Sequence, residues 1–206
     1  MFYQGVSRIA LLLLFFGASV SGSLYAKSCP EDQVSVAISS SPSNLNPFFS
    51  TDANSQNLNR LLHQTLIDFN QTMEFECRLC EEFEEIYSGK GYKIRFKLRD
   101  DVRFWDGSKV TAKDVKNSWK YFTEEKKIKS LFRHAFSAIK KVKVLGPDEV
   151  VLIYNNFRLD HLSNLALLKI LKIPEYSKVD DVELNHIIGS GPYKLAKRSP
   201  LSLTLE

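Results

Sequence analysis

The chain has 206 residues, with 28 Lys and Arg against 24 Asp and Glu, so its formal net charge is +4. This excess is small and the two signs are interspersed, which argues against a nucleic-acid-binding surface. Hydrophobic residues make up 44% of the chain, enough to build a core in one or two domains. No internal repeat or low-complexity stretch occurs in the sequence.

The N-terminus has the layout of a secretory signal peptide. Arg8 precedes an apolar run from Ile9 to Phe16, and small residues follow as far as Ala26. The run is shorter than the ~20 residues that a membrane-spanning helix needs. We therefore predict a signal peptide over residues 1–26 and an exported chain from residue 27, with a retained N-terminal anchor as the alternative. Lys27 stands where lipid-attachment sites have small residues, which argues against a lipid anchor on nearby Cys29.

The first predicted strand covers Val34–Ser39, where apolar and polar residues alternate. A loop rich in Pro, Ser and Asn follows it. Leucines at helical spacing then predict a helix from about Ser55 to Ile67.

Three cysteines, Cys29, Cys77 and Cys80, allow three pairings and leave one thiol over. An exported chain meets an oxidising compartment, so a structural disulfide is expected, with inert thiols as the alternative. The Cys-x-x-Cys spacing also fits a redox motif or half a zinc site. No second ligand pair and no thioredoxin-like strand-to-helix context supports these two interpretations.

A hairpin is predicted next, with strands near Phe83–Tyr87 and Tyr92–Leu98 around a glycine turn. Thr111 then caps a helix, and Asp114 supplies the acid of a capping box. The buried stripe of this helix is expected to consist of Val115, Trp119 and Phe122.

The last third of the chain predicts a hairpin turning at Gly146, a helix over residues 159–171, and short strands over residues 193–196 and 201–205. Strands and helices are mixed without strict alternation. This pattern favours an α+β fold, or an α/β lobe with a mixed sheet.

No catalytic arrangement is present in the sequence, so we do not expect an enzyme, a cofactor or a metal site. Ile188 stands where a nucleophile elbow needs glycine, and Pro192 precedes a strand, which excludes a dinucleotide loop. The adjacent acids Glu81-Glu82 and Asp100-Asp101 would point to opposite faces of a strand and are interpreted as solvated surface.

The stretch "LRDDVRFWDGSKVTAKDVKNSW" resembles the signature region of the family 5 solute-binding proteins of ABC importers, the oligopeptide, dipeptide and nickel-binding group. The stretch "SPSNLNPFFSTDANSQNLNRLLHQTLIDFN" resembles an earlier family segment, with Asn46 where aspartate is usual. The stretch "IIGSGPYKL" resembles a later one. The matching positions are Leu98, Arg99, Phe104, Asp106, Gly107, Thr111, Ala112, Asp114, Val115, Trp119, Gly189, Gly191, Pro192 and Tyr193.

Scaffold roles are expected for most of this signature. The turn at Asp106-Gly107 needs a left-handed glycine, and Asp106 can accept hydrogen bonds from nearby amides. Phe104 and Trp105 are expected to pack the hairpin onto the helix.

The resemblance implies a periplasmic-binding-protein-like II lobe of a two-lobed periplasmic receptor that closes on a peptide or related solute and delivers it to an ABC permease. In peptide-binding members the ligand is extended and its backbone pairs with protein backbone. By register, the implied ligand contacts are Thr51, Asp52, Ala53 and Phe132.

Members of this family are more than twice as long, so the resemblance implies an N-terminal lobe over residues 27–206 without the second lobe. We therefore expect a fragment or a truncated gene product, since closure needs a partner lobe. The alternative is an exported module without a transport role that acts through protein contacts, for example through Cys29.

Overall fold

In the computed structural model, the described residues are 33–89, 91–123, 130–173, 187–199 and 202–206. The chain divides into two units, residues 1–37 and residues 38–206, and the second contains every helix and strand described. The predicted signal peptide, its cleavage site and Cys29 lie outside the described residues. None of the described helices combines the length and the apolar character that crossing a membrane requires.

The described residues form short helices and antiparallel strands, and the strands follow one another in pairs. In chain order they are α1 (Ala53–Leu62), β1 (Ile67–Phe69), β2 (Phe75–Cys77), β3 (Cys80–Ser88), β4 (Gly91–Leu98), α2 (Ala112–Thr123), a 3-10 turn (Arg133–Phe136), β5 (Ile139–Val144), β6 (Glu149–Tyr154), α3 (His161–Leu165), β7 (Leu195–Arg198) and β8 (Leu203–Leu205).

A four-stranded sheet in the order β3-β4-β6-β5 forms the centre of the fold, and every pair in it is antiparallel. One face is apolar because side chains alternate along a strand, so that Ile94 and Phe96 on β4 lie opposite Leu152 and Val150 on β6. All four are fully buried. Each such side chain contributes about 1.5–3 kcal/mol of hydrophobic stabilisation. The α+β prediction agrees with this architecture.

Helix α2 belongs to the same core through the predicted stripe of Val115, Trp119 and Phe122, all of which are buried. Its start is the predicted capping box. The Asp114 carboxylate accepts hydrogen bonds from the Thr111 backbone N–H at 2.9 Å and from the Thr111 hydroxyl at 2.5 Å. This carboxylate satisfies a donor that the first helical turn would otherwise leave unpaired.

Helix α1 ends at Leu62, five residues before the predicted end at residue 67. The carbonyls of Leu61 and Leu62 accept hydrogen bonds from the backbone N–H groups of Tyr193 and Gly191, at 3.2 and 3.0 Å. A longer helix would have used these carbonyls itself. The prediction of a helix to residue 67 was wrong because a distant segment supplies the donors.

The predicted helix over residues 159–171 is also too long, since α3 ends at Leu165. The residues that follow are extended instead, and Lys169 and Lys172 form antiparallel bridges with Thr65 and Ile188. A short apolar run is compatible with a helix or with a buried extended segment, and only the neighbouring chain decides between them.

The predicted strand Val34–Ser39 is not formed, because no described strand pairs with it and Val34 is 91% exposed. The last two strands begin two residues later than predicted, as β7 and β8, and residues 200 and 201 lie outside the described ranges. Of the three cysteine pairings, the structure contains Cys77–Cys80, which links β2 to β3. The pair sits between two strands and not at the start of a helix, which agrees with a structural disulfide.

Candidate functional site

The loop before α1 is shaped by asparagine side chains. Asn44 Oδ1 accepts from the backbone N–H of Asn46 at 2.8 Å, and Asn46 Oδ1 accepts from that of Phe48 at 3.0 Å. The Asn46 carbonyl accepts from the N–H groups of Phe49 and Ser50, at 3.0 Å each. Asparagine side chains that bond to the backbone two residues on are typical of tight turns, so Asn46 performs a turn role here.

Asp52 caps α1 at the end of this loop. Its Oδ1 accepts from the backbone N–H of Ser55 at 2.9 Å, while its Oδ2 accepts from the hydroxyl of Ser43. These hydrogen bonds, led by that from the Ser43 hydroxyl, hold the pKa of the Asp52 carboxyl well below its usual range. Both oxygens are therefore engaged, and Thr51 and Ala53 on either side are exposed.

The loop is tied to α1 through a buried pair of polar side chains. Asn59 Nδ2 donates to Ser50 Oγ at 2.7 Å, and both residues are almost completely buried. Gln56 adds a hydrogen bond from its side-chain amide to the Ser50 carbonyl. A satisfied buried hydrogen bond fixes geometry because breaking it leaves an unpaired polar group.

The carbonyl of Phe48 joins this loop to a segment that begins 82 residues further along the chain. It accepts hydrogen bonds from the Leu131 backbone N–H at 3.0 Å and from Ser130 Oγ at 3.3 Å. The two regions that the family resemblance implies as ligand contacts, residues 51–53 and Phe132, therefore lie at the ends of segments that are bonded to each other.

Phe132 is half-buried at the edge of the core. Its ring contacts that of Phe122 edge-on at 6.5 Å, and Phe122 contacts Phe48 at 4.6 Å. One side of Phe132 thus anchors the 130–132 segment, while the other side remains accessible. Sequence reasoning did not identify Phe48 or Ser130 as connecting residues, since a carbonyl acceptor leaves no sequence signal.

Behind the loop, His63 is buried at the C-terminal end of α1. Neither ring nitrogen has a hydrogen-bond partner among the described residues. Burial first, and then the nearby charge of Lys169, lower the pKa of His63 to about 3. Burial also lowers the pKa of Lys169, to about 8. His63 is therefore neutral in this environment at ordinary pH.

The aromatic turn and the late glycine segment meet beside His63. Trp105 donates its backbone N–H to the Gly189 carbonyl and its indole N–H to the Gly191 carbonyl, both at 3.0 Å. The Trp105 ring lies over the His63 ring, with centroids 5.6 Å apart. Trp105 therefore packs against α1 and the glycine segment, which corrects the prediction that it packs the hairpin onto α2.

Both glycines are needed for this close approach. A Cβ at Gly189 would lie 2.3 Å from the Leu62 carbonyl oxygen, and one at Gly191 would lie 2.1 Å from that of Leu61. Neither position has room for a side chain. Pro192 and Tyr193, which complete the segment, are exposed.

The rest of the signature stabilises its own turn and the sheet. Gly107 has a φ of 80°, as predicted, and Asp106 Oδ1 accepts from the Ser108 N–H at 3.0 Å. A salt bridge from Lys172 at 2.6 Å is the main reason why the pKa of Asp106 is lowered to about 2. The remaining signature residues either belong to the core or bond to neighbours there, and they are Leu98, Arg99, Phe104 and Ala112.

In the part of the chain that the structure describes, no group of three or more His, Cys, Asp or Glu side chains could hold a metal ion.

The sequence profile of the bacterial extracellular solute-binding proteins, family 5 Middle, matches residues 74–206. The chain belongs to this family. The aromatic turn, α2 and the late glycine segment all lie inside the matched range.

Comparisons with individual family 5 proteins agree with this assignment. The oligopeptide-binding protein AppA of Bacillus subtilis is 29% identical over 161 residues, which are 74% of this chain and 29% of AppA. The crystal structure of NikZ from Campylobacter jejuni, in complex with Ni(L-His), matches with a TM-score of 0.66 and 27% identity, over 78% of this chain and 32% of NikZ.

The structure of AppA in complex with a nonapeptide matches with a TM-score of 0.68 at 24% identity, over 78% of this chain and 33% of AppA, which supports the fold. The chain thus spans about a third of the length of the relatives that it matches.

Proposed function

We propose that this chain is the exported solute-binding component of an ABC importer, and that it contributes one wall of a site for a peptide or a related small solute. Membership of family 5 supports a solute-binding role. Among relatives, AppA is an oligopeptide-binding protein, and NikZ was solved with Ni(L-His). Delivery to a permease in the inner membrane and a periplasmic location are further parts of the proposal.

The observation that carries the proposal is the bonding of the Phe48 carbonyl to Leu131 and Ser130. It links the loop that leads to the exposed residue Thr51 to the segment that contains the half-buried Phe132. A binding wall needs such fixed contacts because every group that must be ordered on binding reduces affinity.

The charges indicate how this wall would contact a solute. Both oxygens of Asp52 are engaged by Ser43 and Ser55, so its carboxylate is a structural cap and not a free anion for a ligand ammonium group. Contact would come from the main-chain groups of Thr51 and the N–H of Ala53, which the first turn of α1 leaves without a helical partner, with apolar contact at Phe132. Main-chain pairing of this kind binds extended peptides with little dependence on their side chains.

A binding measurement tests the proposal directly. Isothermal titration calorimetry of the exported chain with tri- to nonapeptides, and with Ni(L-His), should give saturable binding to at least one peptide. Thr51→Trp should abolish that binding, because the indole would occupy the wall. Asn57→Trp, at an exposed position further along α1, is the matched control and should bind normally. Equal binding by both variants would contradict the proposed wall. Binding of Ni(L-His) alone would contradict a peptide as the solute.

The intact mass of the endogenous protein from the envelope fraction should be measured first. A mass well above 23.6 kDa would mean that residues 1–206 belong to a longer receptor, and the titration should then use that receptor. A mass that matches residues 27–206, together with no solute binding, would overturn the transport role and favour an exported module that acts through protein contacts.

A further inference from the structure

Three tyrosines form a row across the four-stranded sheet. Tyr87 on β3 lies directly opposite Tyr92 on β4, and Tyr92 lies directly opposite Tyr154 on β6. Directly opposed residues of antiparallel strands place their side chains on the same face, so the three rings are neighbours. The ring centroids of Tyr87 and Tyr92 are 5.1 Å apart, and those of Tyr92 and Tyr154 are 5.3 Å apart. The interplanar angles of 47° and 46° are almost equal, so the row contains two tyrosine pairs of closely similar geometry.

The two pairs differ in the hydrogen bonds of their hydroxyl groups. The hydroxyl of Tyr87 donates to Oε2 of Glu85 at 3.1 Å, and the hydroxyl of Tyr92 donates to the same oxygen. Because both hydrogen bonds end on one atom, the two phenol oxygens lie close to each other. The Tyr154 hydroxyl, in contrast, is buried without a hydrogen-bond partner among the described residues. The Tyr87–Tyr92 pair therefore has an acceptor for both of its phenolic protons, and the Tyr92–Tyr154 pair does not.

Aromatic neighbours restrict the movement of these rings. His161 stacks on Tyr92 with centroids 5.3 Å apart and contacts Tyr154 at 4.0 Å. Phe157 contacts Tyr87 at 5.4 Å and Tyr92 at 5.2 Å. Side chains that are packed on several sides keep their positions on average, so the close approach of Tyr87 and Tyr92 is a lasting feature of the fold.

A reagent in solution reaches this row through Tyr87. The Tyr87 residue is 62% exposed, whereas Tyr92 is 2% exposed. An oxidant can therefore contact the Tyr87 ring directly. Tyr92 would be oxidised through Tyr87, since an electron can pass between two rings that are in contact.

Both phenols keep their protons at ordinary pH. Burial, and then the hydrogen bond to Glu85, raise the pKa of Tyr92, and the same two causes raise the pKa of Tyr87. A phenol that loses an electron becomes a strong acid, so its proton leaves at the same time if an acceptor is hydrogen-bonded to it. Glu85 holds that position for Tyr87 and Tyr92, and because Glu85 is exposed it can pass each proton on to water.

We propose that Tyr87 and Tyr92 form an oxidative modification site, at which a peroxide-dependent peroxidase joins the two rings as dityrosine. Each phenol gives up one electron and its hydroxyl proton, and a carbon–carbon bond forms between the ring positions beside the two hydroxyls. The hydrogen atoms on those two ring carbons then move to the phenol oxygens as protons, which restores both aromatic rings. One hydrogen peroxide takes up the two electrons and two protons and becomes two molecules of water. The link would join β3 to β4 covalently, and the proposal does not depend on solute binding.

Peptide mapping of the wild-type chain tests the proposal without any substitution. The chain is treated with a haem peroxidase and hydrogen peroxide, then reduced, alkylated and digested with trypsin. Cleavage after Lys90 separates the two tyrosines into residues 79–90 and 91–93. We expect these two peptides to remain joined, with a combined mass lower by two hydrogen atoms, and dityrosine fluorescence to appear in the monomeric protein. A link from residues 91–93 to residues 144–158, which contain Tyr154, would overturn the proposal, as would cross-links between chains alone.

Glu85→Gln tests the part played by the carboxylate. Glutamine keeps the size of the side chain and an acceptor oxygen but is a far weaker proton acceptor, so the cross-link should form more slowly by about tenfold or more. Glu84→Gln is the matched control, because Glu84 is exposed on the opposite face of β3, and it should react at the wild-type rate. Equal rates in the two variants would contradict proton transfer to Glu85.

Phenylalanine replacements test which pair reacts. Tyr87→Phe and Tyr92→Phe should each abolish the cross-link, whereas Tyr154→Phe should leave it unchanged, because the Tyr154 hydroxyl has no acceptor among the described residues. The ring and its packing are retained in each variant, and circular dichroism checks the fold. A cross-link that persists in Tyr87→Phe and disappears in Tyr154→Phe would assign the reaction to the other pair and overturn the proposal. If a variant does not fold, the peptide map of the wild-type chain still decides between the two pairs.

Discussion

Trp105 donates its indole N–H to the carbonyl of Gly191 at 3.0 Å, across 86 positions of sequence. The same glycine segment donates back to the end of α1 through the Gly191 N–H and the Leu62 carbonyl. The aromatic turn, the first helix and the late glycine segment thus form one junction behind the loop that precedes α1. The aromatic residues of the turn are scaffold, and the scaffold holds that loop in place.

Replacing Trp105 by Phe should lower the free energy of unfolding by about 1.5 kcal/mol, because the Gly191 carbonyl loses its donor in a partly buried site. Urea unfolding followed by circular dichroism measures the change. Trp119→Phe is the control, since the indole N–H of Trp119 is buried without a partner among the described residues. The same replacement there removes an unpaired donor, so the free energy of unfolding should fall by less. A larger loss at Trp119 would contradict the hydrogen-bond explanation.

Gly189→Ala and Gly191→Ala should each destabilise the chain by about 3 kcal/mol or more, since the new Cβ would overlap backbone atoms of α1 that cannot move freely. Thermal unfolding measures the effect, and failure to fold would agree with it. Gly146→Ala provides the comparison, because its Cβ would meet the Asp148 side chain at an ordinary 3.6 Å. If all three variants were equally stable, the close approach of the glycine segment to α1 would be wrong.

Stability should fall on acidification because of His63. Its pKa is lowered to about 3 by burial and by Lys169, so between pH 6.5 and 3 the unfolded chain binds a proton that the folded chain does not. This contribution is present above about pH 6.5 and is lost as the pH falls toward 3, at up to about 1.4 kcal/mol per pH unit.

Urea unfolding at pH 7.5, 6.0 and 4.5 measures this slope. His63→Gln should flatten the slope, whereas His134→Gln, at an exposed position, serves as the control and should retain it. An unchanged slope in the His63 variant would show that other groups cause the acid sensitivity.

Removing the Cys77–Cys80 disulfide should cost about 2 kcal/mol, because the bond closes a short loop and therefore restricts the unfolded chain little. The double replacement by serine, compared with Cys29→Ser, measures this cost by urea unfolding. Cys29→Ser should be neutral and should leave no free thiol detectable by alkylation. A thiol that still reacts in the Cys29→Ser protein would mean that the cysteines pair differently.

Local signals predicted the local structure well. The Thr111–Asp114 capping box, the stripe of α2 and the turn at Gly107 formed as expected, because each depends on residues only a few positions apart. Helix ends were predicted poorly. Leucine spacing continues past Leu62, but the carbonyls at the end of α1 accept hydrogen bonds from Gly191 and Tyr193, which lie about 130 positions away in sequence.

The candidate site shows the same division. The sequence indicated Thr51–Ala53 and Phe132 only through family resemblance, and their role in binding stays a prediction. The structure added the bonds from Leu131 and Ser130 to the Phe48 carbonyl, which connect the two segments. No residue pattern predicts such bonds, because every residue except proline has the same backbone donor and acceptor.

The sequence by itself determined the family, the antiparallel hairpins, the start of α2 and the residues that fill the core. These features follow from periodicity, capping and turn chemistry, which act over a few residues. The tertiary structure alone decided where α1 and α3 end, that Trp105 packs on His63, and that Tyr92 lies between Tyr87 and Tyr154. Those outcomes depend on which distant groups come into contact. A hydrogen bond or a strand pairing needs a partner from another part of the chain, and the local sequence does not specify that partner.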